Sequence, residues 1–300
     1  MITFFTIPKP FEGHNGVIQR NALRSWRKLI PHCEIIIFGD EAGIAEVAEE
    51  VGAIHISEIR KNEFGTPYLD GIFSQVQGMA KNDILCYSNT DIIFLNDFPA
   101  GVGRINDERF LLVGQRMDLD LTTEIDFSGK YEEELRGMTA TAGKLHDVDG
   151  MDYFVFRKGT LNALPAFLVG RAGWDNWMIY NARDKGIKVI DGTNGYMVIH
   201  QNHNYGHVKK GVFLWLGPES DYNLALLGGI QYRFTLYDAT YRFDGIKVRP
   251  NLSAISIYRR MKSISILKPE AGRVFHVLEK TLYPFEEILL DIWRNKKRSE

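Results

Sequence analysis

Only two cysteines occur in 300 residues, Cys33 and Cys86, each beside an apolar strand-like run. They read as buried free thiols and point to a reducing compartment. Neither sign of charge dominates: 36 Lys and Arg against 38 Asp and Glu leave a formal net charge of −2. General nucleic-acid binding leaves a basic footprint, and none is present. No stretch reaches the roughly 18 uncharged apolar residues of a membrane span. The opening "MITFFTIPKPFEGH" has no basic leader and no long apolar core, so no signal peptide is expected. A soluble, cytoplasmic protein is the expectation. No G-x-G-x-x-G follows the first apolar run, "TIPKPFEG", which counts against NAD or FAD. A P-loop lysine motif and a G-x-S-x-G elbow are also missing, which disfavours a serine hydrolase.

The chain does have enough apolar content, 45%, for one large domain or two small ones. Residues 2 to 7, "ITFFTI", read as a buried strand ended by "PKP". Val17, Ala22, Leu23, Trp26, Leu29 and Ile30 recur at helical spacing after Asn15. "EIIIF" is a second strand, followed by the turn "GDEAG" and a helix to about Val51, and "AIHI" is a third. A helix over "YLDGIFSQVQGMA" then leads to a fourth strand, "DILCYS". This alternation predicts an α/β fold with a mainly parallel sheet flanked by helices. Ligands collect at the carboxyl ends of such strands. The loop holding Thr6, Pro8 and Lys9, the turn holding Asp40 and the patch "SNTD" all follow strands, so they are expected to share one crevice.

The second half is less regular. "FLLVGQ", "MDYFVFRK", "IKVID" and "YMVIH" read as strands and "WDNWMIYNARDKG" as a helix ending at Gly186. The charged stretch "DLDLTTEIDFSGKYEEELRG" reads as a loop or excursion. Beyond about residue 250 ten Lys and Arg face six acids. The expected division is a catalytic domain over 1–245, split into a donor half (1–97) and an acceptor half (98–245). A basic helical extension over 246–300 completes it.

Four features carry chemistry, the strand-end loops around Thr6 to Lys9 and Asp40 being one. Asp91, with Asn89 two residues before it, lies between "DILCY" and "IIFL". A carboxylate in such a place is paired, coordinates a cation, or caps a turn. "HQNHNYGH" holds His200, His203 and His207. Asp91 with a histidine suits Mn²⁺ or Mg²⁺, while the three histidines alone would suit zinc. In "AGWDNW", Asp175 sits between Trp174 and Trp177; it could cap a helix, or the rings could form a sugar platform.

These motifs together resemble nucleotide-sugar-dependent glycosyltransferases of the GT-A fold. "YSNTDIIF" is similar to their Asp-x-Asp segment, with Asn89 in place of the first Asp. "YMVIHQN" resembles the later strand whose closing histidine joins the metal, and "RAGWDNW" an acceptor-side motif whose acid is the base of inverting members. With "FEGHNGVIQRNALRSW" and "GMDYFVFRKG", the resemblance covers residues 2 to 240 in order. It implies a GT-A-like, Rossmann-related sheet, a nucleotide-sugar donor, and a glycan or lipid-linked acceptor in polysaccharide biosynthesis. It also implies Mn²⁺ or Mg²⁺ held by Asp91 with His200 or His203, and Asp175 as base. Thr6, Pro8, Lys9, Asp40, Thr66, Asp70, Asn89 and Thr90 would line the donor side, with Asp40 on the nucleobase. Asp152, Trp174 and Trp177 would meet the acceptor.

Three rivals remain at this point. A metal-dependent hydrolase would use His200, His203 and His207. A nucleotidyltransferase would want a glycine-rich basic loop after the first strand. A carbohydrate-binding protein would explain the tryptophans but not Asp91 and His200. Near the end, Phe285, Ile288, Leu289, Ile292 and Trp293 mark one apolar helical face beside Arg294, Lys296, Lys297 and Arg298. Such a segment either packs on the catalytic domain or makes peripheral contact with an anionic membrane surface.

Overall fold

Burial along the first strand shows how the molecule is layered. In β1 (Ile2–Thr6) all five residues are buried, as a strand covered on both faces requires. Phe4 joins one core cluster and Phe5 the other, because successive side chains point to opposite faces. The same alternation splits Ile36 from Ile37 and Leu85 from Cys86. A computed structural model describes residues 1–29, 33–203 and 216–271. His207 and the apolar and basic segment expected in the tail lie outside those residues.

The elements follow in chain order. After β1 come α1 (Gly13–Leu29), β2 (Glu34–Phe38), α2 (Ile44–Val51), β3 (Ile54–Ile56), α3 (Leu69–Met79) and β4 (Ile84–Ser88). Next are β5 (Ile92–Phe94), α4 (Asp97–Val102), β6 (Phe110–Val113), β7 (Met117–Leu119), α5 (Tyr131–Ala142), β8 (Lys144–Leu145) and β9 (Tyr153–Arg157). The remainder is α6 (Trp174–Asp184), β10 (Lys188–Asp191), β11 (Val198–Gln201), α7 (Pro218–Leu227), β12 (Tyr241–Phe243), β13 (Val248–Pro250) and α8 (Ala254–Leu267).

Among the described residues the main sheet has nine strands in the order β13-β12-β10-β6-β9-β4-β1-β2-β3. β3, β2, β1 and β4 are mutually parallel, as are β6, β10 and β12. β9 runs antiparallel between the two groups. The expected α/β architecture, a mostly parallel sheet with covering helices, is therefore present. α1 turns Ile18, Ala22, Leu23 and Trp26 inward, and the Trp26 indole donates to the Ile92 carbonyl at 2.8 Å. α2 ends where Gly52 adopts φ 64°, a left-handed conformation that a side chain would disfavour.

A second sheet has the order β5-β11-β7-β8, and its first strand begins just after the carboxyl end of β4. Its own small core includes Ile93, Leu119, Leu135 and Ile199. Here the structure departs from the expected excursion: the charged stretch supplies β7 and α5. Only Leu135 and Thr139 of α5 are buried, so its apolar stripe is too narrow to register as helical periodicity. The boundary expected at residue 245 lies in the turn between β12 and β13, and β13 belongs to the main sheet. Both cysteines are free and buried. No helix among the described residues is long and apolar enough to cross a membrane.

Candidate functional site

β1 and β4 lie side by side and parallel, so their carboxyl-end loops meet. The Thr6 and Thr90 hydroxyls are 2.7 Å apart and tie these loops together. After Ser88 the chain makes a short turn through Asn89, Thr90 and Asp91 before β5 begins. β11 pairs antiparallel with β5, His200 opposite Ile92, and Gln201 N–H donates to the Asp91 carbonyl at 3.1 Å. That register delivers His200 and the following His203 to Asp91.

Asp91 Oδ2 lies 3.1 Å from His203 Nε2 and 3.8 Å from His200 Nε2. One ligand atom from each of the three residues falls within 4.8 Å of the others. Asp91 Oδ1 is buried and receives no hydrogen bond among the described residues. A buried carboxylate oxygen left without a donor is costly unless a cation meets it. The donor set and this orphaned oxygen both fit a divalent metal. Burial pushes the Asp91 carboxyl up, but His200, His203 and Lys9 outweigh it and hold it well below the usual carboxylate range.

Asn89 is not part of that cluster. Its Nδ2 donates to Asp152 Oδ1 at 2.7 Å and its Oδ1 accepts from the Tyr87 hydroxyl at 3.3 Å. Both ends of the amide are engaged away from the metal ligands. Asp152 also pairs with Arg116. Arg116 Nε reaches Asp118 Oδ1 at 3.0 Å, and Asp118 meets His200 Nδ1 at 3.1 Å and His146 Nδ1 at 2.7 Å. Burial raises the Asp118 carboxyl, yet His200, His146 and Arg116 prevail and hold it well below its ordinary value.

These groups open onto a cavity of about 710 Å³, the size of ordinary small-ligand sites. Pro8, Lys9, Thr66, Asn89, Thr90, Asp91, Asp152, Trp174, Asp175, His200 and His203 all line it. Thr6 stands just behind, holding Thr90. Lys9 is half-buried, and burial, opposed by Asp91, lowers its pKa. Its ammonium forms no hydrogen bond or ion pair among the described residues. Asp175 lies in the first turn of α6, which Gly173 rather than Asp175 caps, and Oδ1 accepts from Asn176 N–H at 2.9 Å. Burial pushes the Asp175 carboxyl up to about 6, against the pull of its backbone donors and Arg233.

Three expected residues are elsewhere. The Asp40 side chain is 59% exposed and pairs with Lys61, which itself lines the cavity beside Glu41. Asp70 is held by Arg60 at 2.7 Å and does not line the cavity. Trp177 packs on Phe167, with ring centroids 5.5 Å apart. Trp174 is only 6% exposed and stands edge-on to Tyr87 at 5.3 Å, so most of its face is core rather than platform. Sequence reading missed Arg116, Asp118 and His146, and also Arg171, which reaches Glu219 at 2.6 Å in the cavity wall. A signal for the first pair existed: Arg116 and Asp118 alternate along the strand that follows "FLLVG".

No protein-family model matches this chain. A search of curated proteins also finds no match. Among solved structures, glucosyl-3-phosphoglycerate synthase from Mycobacterium tuberculosis, complexed with Mn²⁺, uridine diphosphate and phosphoglyceric acid, is similar at 15% identity. The match covers 76% of this chain and 77% of that one, with a TM-score of 0.44. Residues 1–349 of S. aureus TarS match at 9% identity over 67% of this chain and 60% of that one, with a TM-score of 0.45. Likenesses this distant do not decide an activity, which has to come from the site itself.

Proposed function

We propose that this protein is a glycosyltransferase of the GT-A type, moving a sugar from a nucleotide-diphosphate donor to an acceptor hydroxyl. The observation that carries the reading is one cavity with two unlike ends. At one end Asp91, His200 and His203 converge with a buried oxygen left for a cation. At the other, Asp175 is a carboxyl with no cation in hydrogen-bond contact among the described residues and a pKa raised by burial to about 6. Breaking a sugar–diphosphate bond builds negative charge on the leaving group, and a bound divalent ion supplies a counter-charge for it. Lys9, an ammonium without an ion-pair partner among the described residues, adds a donor beside that charge. A sugar hydroxyl is a poor nucleophile, and Asp175 takes its proton as general base, which makes the reaction inverting. Asp152 and Thr66 hold donor or acceptor hydroxyls from the cavity wall. The acceptor is a glycan or a lipid-linked glycan.

Two imidazoles beside one carboxylate rank Mn²⁺ above Mg²⁺, which prefers oxygen ligands and retained water. The same ligand set also suits a hydrolytic zinc, so a metal-dependent hydrolase is the second reading. Isothermal titration with a panel of nucleotide sugars separates them. The expected result is donor binding that strengthens with Mn²⁺ and less with Mg²⁺, and no turnover until an acceptor is added. Rapid turnover of ester or amide substrates with zinc, and no nucleotide-sugar binding, would replace the transferase reading with the hydrolase one.

A further inference from the structure

We infer that Asp118 is a positioning residue for the metal site, holding His200 in the tautomer that leaves Nε2 free to bind the ion. The inference rests on the metal reading above but concerns residues that reading does not use. An ionised carboxylate can only accept hydrogen bonds. Asp118 faces three nitrogens: Arg116 Nε at 3.0 Å, His200 Nδ1 at 3.1 Å and His146 Nδ1 at 2.7 Å. Arg116 donates to it, and a neutral imidazole nitrogen this close to the carboxylate gains by presenting its proton rather than its lone pair. His200 Nδ1 is buried and forms no aligned hydrogen bond among the described residues; the Asp118 carboxylate, 3.1 Å away, is the group placed to draw its proton. With Nδ1 protonated, Nε2 keeps its lone pair on the side of Asp91. An outer carboxylate behind a ligating histidine fixes ring orientation and raises ligand basicity.

Asp118 is itself held from both sides. Arg116 reaches Asp118 with Nε and Asp152 with its terminal nitrogen, so it joins the metal end of the cavity to the Asn89–Asp152 pair. His146 is seated from behind: its backbone N–H donates to the Arg116 carbonyl at 2.9 Å, and its own carbonyl accepts from Gln115 Nε2. Gly150 lies against the His146 ring, where any Cβ would collide with it. The arrangement has one place for the imidazole of His146 and one for the carboxylate of Asp118.

The test compares Asp118→Ala and Asp118→Asn with the unaltered chain. Asn keeps an oxygen for Arg116 and His200 and so should preserve the His200 tautomer, while its NH2 faces His146 Nδ1 and shifts that ring's proton to Nε2. Mn²⁺ affinity, read by calorimetry and by the loss of free-ion electron spin resonance, should fall about 10- to 100-fold in the Ala variant. The Asn variant should lose less than about 10-fold, below that range. Long-range proton–nitrogen spectra of the metal-free proteins, with His200 assigned by substitution, should show Nδ1–H in wild type and Asn but not in Ala. A folded Ala variant with unchanged Mn²⁺ affinity, or a wild-type His200 protonated on Nε2, overturns the inference. If the wild type binds no Mn²⁺, the metal reading falls, while the tautomer spectra still decide the role of Asp118. Should the Ala variant fail to fold, the Asn variant and the wild-type spectra carry the decision.

Discussion

The two ends of the cavity treat a carboxyl group in opposite ways. Asp91 is surrounded by His200, His203 and Lys9, which overcome the cost of burial and keep it ionised. Asp175, partly buried beside Trp174, has backbone donors and a more distant Arg233 among the described residues, with Asp149 opposing them, and desolvation prevails. The surroundings hold charge on one carboxyl and bring the other close to proton exchange near neutral pH. Pairs of titratable groups pushed apart in this way mark the division of labour in acid–base sites. The contrast also explains why the two groups occupy different kinds of structure. Asp91 is fixed by a strand-end turn and a paired strand, while Asp175 hangs from the first turn of a helix.

The largest expected effect comes from removing the exchanging carboxyl. Asp175→Asn should lower kcat by about 1000-fold, within the usual range for a general base. Donor affinity should stay near wild type, since the base acts only on the acceptor; collapse of donor binding would place Asp175 on the donor side instead. Removing the permanent charge should cost somewhat less. Asp91→Ala is expected to reduce transfer at least about 100-fold, the scale of losing one electrostatic stabiliser. Near-normal rates in saturating Mn²⁺ would remove Asp91 from the metal site.

The smallest effect is on stability, and its sign follows from the direction of the Asp175 shift. Its folded pKa, about 6, exceeds the ordinary 3.8, so the folded chain binds a proton that the unfolded chain has released. The stabilising contribution is present at low pH and lost as pH rises through about 6. Asp175→Asn should therefore raise the melting temperature at pH 7.5, by roughly 2 °C, and change it little at pH 4.5. Equal shifts at both pH values would show that burial does not raise this carboxyl.

The parallel half of the fold was legible because its strands are short apolar runs separated by helical spacing. β1, β2 and β4 lie within a residue or so of their expected ranges. The clustering of Asp91 with His200 and His203 could be expected for the same reason: polar residues directly after buried strands. Asp40 shows where that logic stops. It follows β2 as expected, but Lys61, 21 residues later, pairs with it near the surface. Local sequence gives no hint of which loop will supply a partner. Asp118 was hidden for a different reason. The stretch around it, "DLDLTTEID", carries as much charge as a solvated loop, although Asp118 faces inward and Asp120 is exposed. The tryptophans promised a platform, yet size and apolarity drew Trp174 into the core instead.

The antiparallel pairing of β5 with β11 has a consequence for how the molecule comes to life. Asp91 and His203 are separated by 112 positions, so their meeting is a late, long-range event in folding. Side chains alternate along a strand, and a slip of one residue would turn His200 to the wrong face. A chain still being synthesised thus has a lone carboxylate at Asp91 and no chelate. If the proposed ion binds here, its capture would report that β11 has paired with β5 in the right register.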